Sequence, residues 1–232
     1  MIQTLKEKFA LANIALTDAQ CEKFAVYYEF LVDYNKKVNL TAITDIEGVI
    51  VKHFLDSAIN MNELMPNASL ADIGSGAGFP AVPLKIMRED ITVTMIESNG
   101  KRVTFLDELI KKLDLTGISA VKMRAEEAGR STLRESFDCV TSRAVTALPA
   151  LMEYSIPLLK VGGKMLAYKS GEIQEELQSA TRAVQKLGSR FLPLKKYVLL
   201  DEYARSLVSV EKVTTTDKLY PRPNKKIISN PL

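Results

Sequence analysis

Leu70-Ala71-Asp72-Ile73-Gly74-Ser75-Gly76-Ala77-Gly78-Phe79-Pro80 is an apolar run that ends in an acid, followed by three alternating glycines and a proline at which a helix can open. About twenty residues on, a second apolar run, Ile91-Thr92-Val93-Thr94-Met95-Ile96, ends in Glu97. This is the layout of a nucleoside-binding βαβ unit, in which the second acid can accept from ribose hydroxyls. Glycines at 74, 76 and 78 let the turn take positive φ and let the backbone approach a ligand closely.

The spacing is G-x-G-x-G, whereas a loop built for a pyrophosphate keeps its third glycine one residue later. Phe79-Pro80 occupies that region, and no basic residue lies between Asp72 and Val82 to meet a phosphate. Two acids around a short glycine loop suit a cofactor that has a ribose and no phosphate. The unit therefore favours S-adenosylmethionine over NAD, since a sulfonium tolerates nearby carboxylates. The plain alternative is an ordinary strand-to-helix turn.

Working outward, 232 residues predict one domain or one plus a small extension. A hydrophobic content of 47% is enough for a full core, and no apolar run reaches the length of a membrane span. The opening Met1-Ile2-Gln3-Thr4-Leu5-Lys6-Glu7-Lys8 has no signal-peptide h-region. Cys21 and Cys139 are far apart, which predicts two free thiols and a cytoplasmic location. His53 is the only histidine, so a histidine-rich metal site is excluded and no metal is expected. A net charge of +3 does not demand nucleic acid. The end is more basic, with Lys218, Arg222, Lys225 and Lys226 against Asp217 alone after Val213. Such a cluster reads as a solvated tail that is compatible with phosphate contacts. A monomer is the default expectation.

The first 66 residues read as a helical extension. Thr17-Asp18-Ala19-Gln20 predicts a capping box. Phe24, Tyr27, Tyr28, Leu31 and Tyr34 then recur at helical spacing, a stripe that reads as core packing. Val38–Thr44 reads as a loop, and a helix is predicted from Ile46 to Leu64, ending before Pro66. From Ser69 strands and helices alternate: strands at 69–73, 91–96, 118–123, 137–142 and 163–169, helices at 80–88, 99–113, 146–159 and 171–187. Segments 191–200 and 205–213 read as a terminal antiparallel pair. The expectation is an α/β fold over 67–232: a mostly parallel seven-stranded sheet with helices on both faces. Right-handed crossovers put all the strand C-termini on one edge, where open α/β sheets bind ligands.

That edge selects the candidate residues. Gly74, Gly76 and Gly78 form the cofactor loop, with Phe79 beside it. Glu97 is the ribose acceptor or, blandly, a solvated acid; Asp72 either serves the ligand or accepts N–H bonds of the glycine turn. Glu126 follows the third strand, where an adenine amino group needs an acceptor, while Glu127 also reads as a helix-start acid. Arg143, after the fourth strand, falls at the expected transfer point. Lys169 ends the fifth strand and either touches substrate or solvates the edge. A lone histidine between apolar residues is usually structural, so His53 is weak as a base; the Lys52–His53 pair is the better substrate contact. No obvious base or nucleophile is present.

A wider ordered set is then visible: Asn39-Leu40-Thr41, Lys52-His53-Phe54-Leu55-Asp56-Ser57, the 72–80 loop, Ser98-Asn99-Gly100-Lys101-Arg102-Val103, Ser142-Arg143-Ala144 and Tyr220-Pro221-Arg222. On these residues, nearly the whole chain closely resembles the bacterial glucose-inhibited division protein B family, also called RsmG. The resemblance implies a Rossmann-like class I methyltransferase that uses S-adenosylmethionine to methylate N7 of one guanine in 16S ribosomal RNA of the small subunit. It implies cofactor contacts at Gly74, Phe79, Ala125, Glu126 and Arg143, with Glu97 in the position of the second-strand acid. Arg143 and Lys169 would orient the guanine, and Lys52, His53, Lys101, Arg102 and Arg222 would face RNA. Two features depart from the family pattern: Ala81 stands where a glycine is usual, and the tail after Tyr220-Pro221-Arg222 lacks a glycine-containing stretch. The remaining readings are a methyltransferase for another RNA, a protein or a small molecule, an NAD-dependent oxidoreductase, and a non-catalytic nucleic-acid-binding module.

Overall fold

A computed structural model describes residues 1–232. Helix α1 (Ile2–Leu11) is followed by α2 (Asp18–Asn35), which opens on the predicted capping box: Thr17 Oγ1 accepts from the Gln20 N–H and Gln20 Oε1 accepts from the Thr17 N–H. Phe24, Tyr27 and Leu31 of the stripe are fully buried. The helix expected from Ile46 is less regular. It runs as α3 (Ile46–Gly48), a wider π-type turn over Val49–Leu55 and α4 (Asp56–Ala58), then a 3-10 turn over Met61–Glu63. In the π segment the Asp56 N–H bonds back to the Val51 carbonyl, an i→i−5 bond. That turn carries Lys52 and His53.

The sheet contains β1 (Ser69–Ile73), β2 (Thr92–Glu97), β3 (Ile118–Lys122), β4 (Phe137–Arg143), β5 (Leu159–Ser170), β6 (Ser189–Phe191), β7 (Lys195–Leu199) and β8 (Tyr203–Lys212). Its order is β3-β2-β1-β4-β5-β8-β6, with β7 also on β8. The pairs among β1–β5 are parallel, and β8 is antiparallel to β5 and to both short strands. Strand order reverses between β1 and β4, so the binding crevice belongs at their C-terminal ends. The sheet has eight strands where seven were expected. The segment read as one strand, 191–200, breaks at 192–194: Pro193 has no N–H for the ladder, so β6 and β7 pair with different stretches of β8.

Helices α5 (Ala81–Met87), α6 (Gly100–Lys112), the short α7 (Ala125–Ala128), α8 (Leu148–Ser155) and α9 (Gln174–Lys186) follow β1 to β5 in turn, and α10 (Asn224–Ser229) closes the chain. Alternate strand residues feed two cores. Leu70, Met95 and Leu166 join one with α1, α2, α5 and α6, whereas Ala71, Ile96 and Ala167 join the other with α8 and α9. The N-terminal helices share their core with the sheet: Phe24 and Tyr27 pack on Phe54, and Tyr27 stacks on Phe79 at 5.3 Å. Residue 81 fits as alanine, fully buried at the start of α5.

Candidate functional site

The glycine loop is braced from the N-terminal helices. Gly74, Gly76 and Gly78 all have positive φ. A Cβ on Gly74 would lie 2.6 Å from the Val145 side chain, and one on Gly78 would lie 2.7 Å from the Tyr27 hydroxyl. That hydroxyl donates to the Ala77 carbonyl at 2.5 Å. One member of the aromatic stripe thus does more than pack.

The two strand-end acids take different parts. Glu97, almost fully buried, accepts the Gly76 N–H at 3.0 Å and the Asn99 N–H at 2.8 Å, so it ties the glycine loop to the start of α6. The bond to the glycine turn, considered for Asp72, belongs to Glu97. Asp72 is fully buried at the register of Thr141, whose hydroxyl donates to Oδ1 at 2.8 Å. Its Oδ2 has no partner. Burial, partly offset by the Ser75 and Thr141 hydroxyls, pushes the Asp72 carboxyl up to about 7. An unpaired buried acceptor costs free energy unless a ligand satisfies it.

Two cavities meet at Gly74. The larger, about 470 Å³, is bordered by the glycine loop, Phe79, Lys52, His53, Arg143 and Arg205. The smaller, about 170 Å³, is bordered by Gly74, Glu97, Ala125, Glu126, Tyr154 and Asn224. An elongated ligand with a nucleoside at one end suits this pair.

Arginines dominate the larger cavity. Arg143 ends β4, and Ala144 turns the chain away in the left-handed region (φ 56°). The Arg143 guanidinium lies over Phe79 at 4.9 Å, donates to the Lys52 carbonyl at 3.1 Å and reaches Asp56 at 3.5 Å. Arg205 donates to the other Asp56 oxygen at 3.0 Å. Asp56 is buried, and that burial pushes its carboxyl up against the pull of the two arginines. His53 stacks on Phe79 at 4.5 Å, with Nε2 2.8 Å from the Thr41 hydroxyl and Nδ1 3.3 Å from Arg143. Burial, with the adjacent Arg143 charge, lowers its pKa to about 3. The ring is therefore neutral, a wall of the cleft and not a base at neutral pH.

The other basic residues separate. Lys52 lines the larger cavity with its ammonium 4.5 Å over the Tyr203 ring. Arg102 lines it too, 4.0 Å from Glu97, while Lys101 is exposed and borders neither cavity. Lys169 reaches the cavity already engaged by Glu176 at 2.7 Å and the Thr146 carbonyl at 3.0 Å. Arg222 does not belong to this face. It is buried and binds Glu153 through its backbone and guanidinium at 2.6–3.1 Å, which removes it from the predicted RNA contacts. Its segment is a strap packed down at Tyr220, Arg222 and Ile227, while Lys218, Lys225 and Lys226 are exposed, as the solvated reading expects.

Arg205 was missed because nothing local marks it. Its place depends on β8 running antiparallel to β5, which sets Arg205 opposite Ser170 and next to the Lys169–Ser206 pair. Asp56 stood in a quoted motif, and an acid among buried apolar neighbours was the available signal.

The chain matches the profile of the family described as "GidB: rRNA small subunit methyltransferase G" over residues 20–215. It is 46% identical over 220 residues to the ribosomal RNA small subunit methyltransferase G of Desulfitobacterium hafniense, covering 92% of each chain. It is 44% identical to the protein of that name from Lactobacillus johnsonii, covering 95% of this chain and 96% of that one. Among solved structures, it resembles M. jannaschii TYW2 in complex with AdoMet at a TM-score of 0.56 and 16% identity, covering 74% of this chain and 80% of that one. NSun6 from Pyrococcus horikoshii gives 0.58 and 14%, covering 75% and 57%. At these identities the structures speak for the fold, which is that of the Rossmann-like class I methyltransferases. The family match and the relatives cover nearly the whole chain, so it belongs to the rRNA small subunit methyltransferase G family and is an S-adenosyl-L-methionine-dependent methyltransferase.

Proposed function

We propose that this protein methylates N7 of a specific guanine in 16S ribosomal RNA, as a monomer acting on small-subunit RNA in the cytoplasm. The observation that carries this reading is the convergence of Arg143 and Arg205 on buried Asp56, in the wall of the cavity that the glycine loop borders. Two guanidiniums fixed at the mouth of a cofactor cleft suit an anionic, hydrogen-bonding substrate such as a guanine with its phosphates. No helix is long and apolar enough to cross a membrane, and no group of residues is arranged to hold a metal.

The residues fit S-adenosyl-L-methionine. Asp72 has an unpartnered oxygen beneath the loop for a cationic group, and the loop is open at Gly76, where an added Cβ would meet only the Gly74 carbonyl at 3.7 Å. Glu97, Ala125 and Glu126 would hold the adenosine half, and Gly74, Gly76, Gly78, Phe79 and Arg143 the other half. When bound, the cofactor supplies a methyl group activated by its sulfonium. Guanine N7 has an in-plane lone pair and no proton, so the chain needs no general base, in accord with a neutral His53. Its residues orient and exclude water. Arg143, held over Phe79, would align the base through O6 or a phosphate, and Lys169 would bracket it. Such alignment supplies several kcal/mol of barrier reduction. Lys52, Arg102, Arg205 and exposed Lys101 would extend the phosphate-facing surface, so binding should weaken with salt.

Transfer of labelled methyl from S-adenosyl-L-methionine to small subunits from a strain lacking this gene, with the modified base mapped, tests the reading. One N7-methylguanine in 16S RNA is expected. Label on another RNA, a protein or a small molecule, with none on the subunit, would sink it.

A further inference from the structure

The C-terminal strap reaches the smaller cavity through Asn224. Residues 216–222 run across the segment that follows α7, the helix bearing Ala125 and Glu126. Arg134 donates to the carbonyls of Thr216 and Tyr220, and Arg130 to that of Pro221. A Cβ on Gly129 would lie 2.8 Å from Pro221, so the two chains touch there. Arg222 is then locked on Glu153, and Ile227 is fully buried in the core beside α8. Between these anchors Asn224 meets the cavity. The hydroxyl of Tyr154, the neighbour of Glu153, donates to the Asn224 side-chain oxygen. The carboxamide is thereby oriented with its oxygen turned to Tyr154, and its NH₂ remains a donor at the wall of a cavity that Glu97 and Glu126 also line.

We infer that the strap is part of the cofactor site and that Asn224, oriented by Tyr154, donates to a ring nitrogen of the adenine. Adenine offers bare ring nitrogens as acceptors on its edges, and a fixed amide N–H₂ matches such an acceptor. The inference rests on the placement of adenosine in the smaller cavity. Arg222 then keeps a function without facing RNA: it anchors the segment that carries Asn224.

Calorimetric binding of S-adenosylhomocysteine to the full-length chain tests this, since it reads affinity without turnover. Asn224→Ala should bind about fivefold to tenfold more weakly while melting near the wild type. Tyr154→Phe, which frees the carboxamide, should show a smaller loss. The 1-deaza, 3-deaza and 7-deaza adenosyl analogues identify the acceptor. One of them should weaken wild-type binding by about the factor lost in Asn224→Ala and should cost that variant nothing further, the non-additivity of a direct pair. Should Asn224→Ala fail to fold, Tyr154→Phe takes its place in the cycle. Unchanged affinity in the variants, or equal analogue losses in wild type and variant, would overturn the inference while leaving the cofactor placement intact. A wild-type chain that binds no S-adenosylhomocysteine would overturn both.

Discussion

Two arginine–carboxylate clusters are buried on opposite faces of the sheet, and they are built differently. At Glu153 the carboxylate is fully buried and Arg222 saturates it from backbone and side chain, and neither residue lines the two cavities that meet at Gly74. At Asp56 two arginines share one carboxylate, one of them at a stretched 3.5 Å, and both border open space. A saturated pair holds the fold in place, whereas an under-satisfied pair beside a cavity keeps donor capacity for something that arrives. Burial and charge alone would have ranked the two clusters equal; what separates them is which N–H groups are already used.

The largest expected effect tests the saturated pair. Glu153→Ala leaves the Arg222 charge buried without its partner, which should cost about 3–5 kcal/mol and lower the melting temperature steeply. Arg143→Ala leaves Asp56 still paired with Arg205, so its stability loss should be far smaller. Comparable melting temperatures for the two variants would erase the distinction.

Asp72 sharpens the same contrast through pH. Its folded pKa, about 7, lies above the ordinary carboxylate value, so the folded state holds the proton more tightly than the unfolded one. Between about pH 4 and pH 7 this group makes stability fall as pH rises, by at most about 1.4 kcal/mol per pH unit, and the penalty is complete above pH 7. Asp72→Asn should therefore gain stability over the wild type as pH rises through that window and match it near pH 4. Urea midpoints across pH 4–8 that run parallel for the two proteins would exclude a proton held by Asp72 in the folded chain.

The third effect belongs to catalysis. Arg143→Ala should lose about a hundredfold in methyl transfer to small subunits, the cost of a misaligned substrate, with cofactor affinity much less affected. Asp56→Asn should fall in between, because Arg143 and Arg205 both keep a hydrogen-bonding partner. Full transfer by Arg143→Ala would remove that residue from the site.

These contrasts also mark what can be read from the residues in order. The glycine loop, the strand ends at Asp72 and Glu97, and the capping box at Thr17 are local: each needs only neighbours within a few positions, and each is where it was expected. Pro193 likewise carried a local signal, the missing N–H that splits the edge strand. The rest is set by contacts across long stretches of chain. Arg222 meets Glu153 across 69 positions, and Arg205 meets Asp56 across 149. No periodicity or spacing encodes either pairing, so a basic residue near the chain end reads as solvated or RNA-facing, and its ion pair is not visible. That Glu97 and not Asp72 takes the glycine-turn bond was invisible for another reason. It depends on the turn's rotation, which decides whose oxygen faces the Gly76 N–H.

Tyr27 gives the smallest effect and the finest test. The aromatic stripe on α2 reads as core, and most of it is core, yet the Tyr27 hydroxyl leaves the stripe to hold the Ala77 carbonyl of the glycine loop. Burial holds that hydroxyl well above its usual pKa, so it stays a donor at any working pH. Tyr27→Phe keeps the ring on Phe79 and removes only the bond, leaving a buried carbonyl unpaired at a cost of about 1 kcal/mol. If the N-terminal helices only cover the sheet, that loss should register in melting alone. If they brace the loop, S-adenosylhomocysteine affinity should also fall, by about threefold to fivefold, because the glycines lose the contact that holds their shape before the ligand arrives. The split between melting and affinity decides whether α2 belongs with the saturated, structural face of the molecule or with the open one.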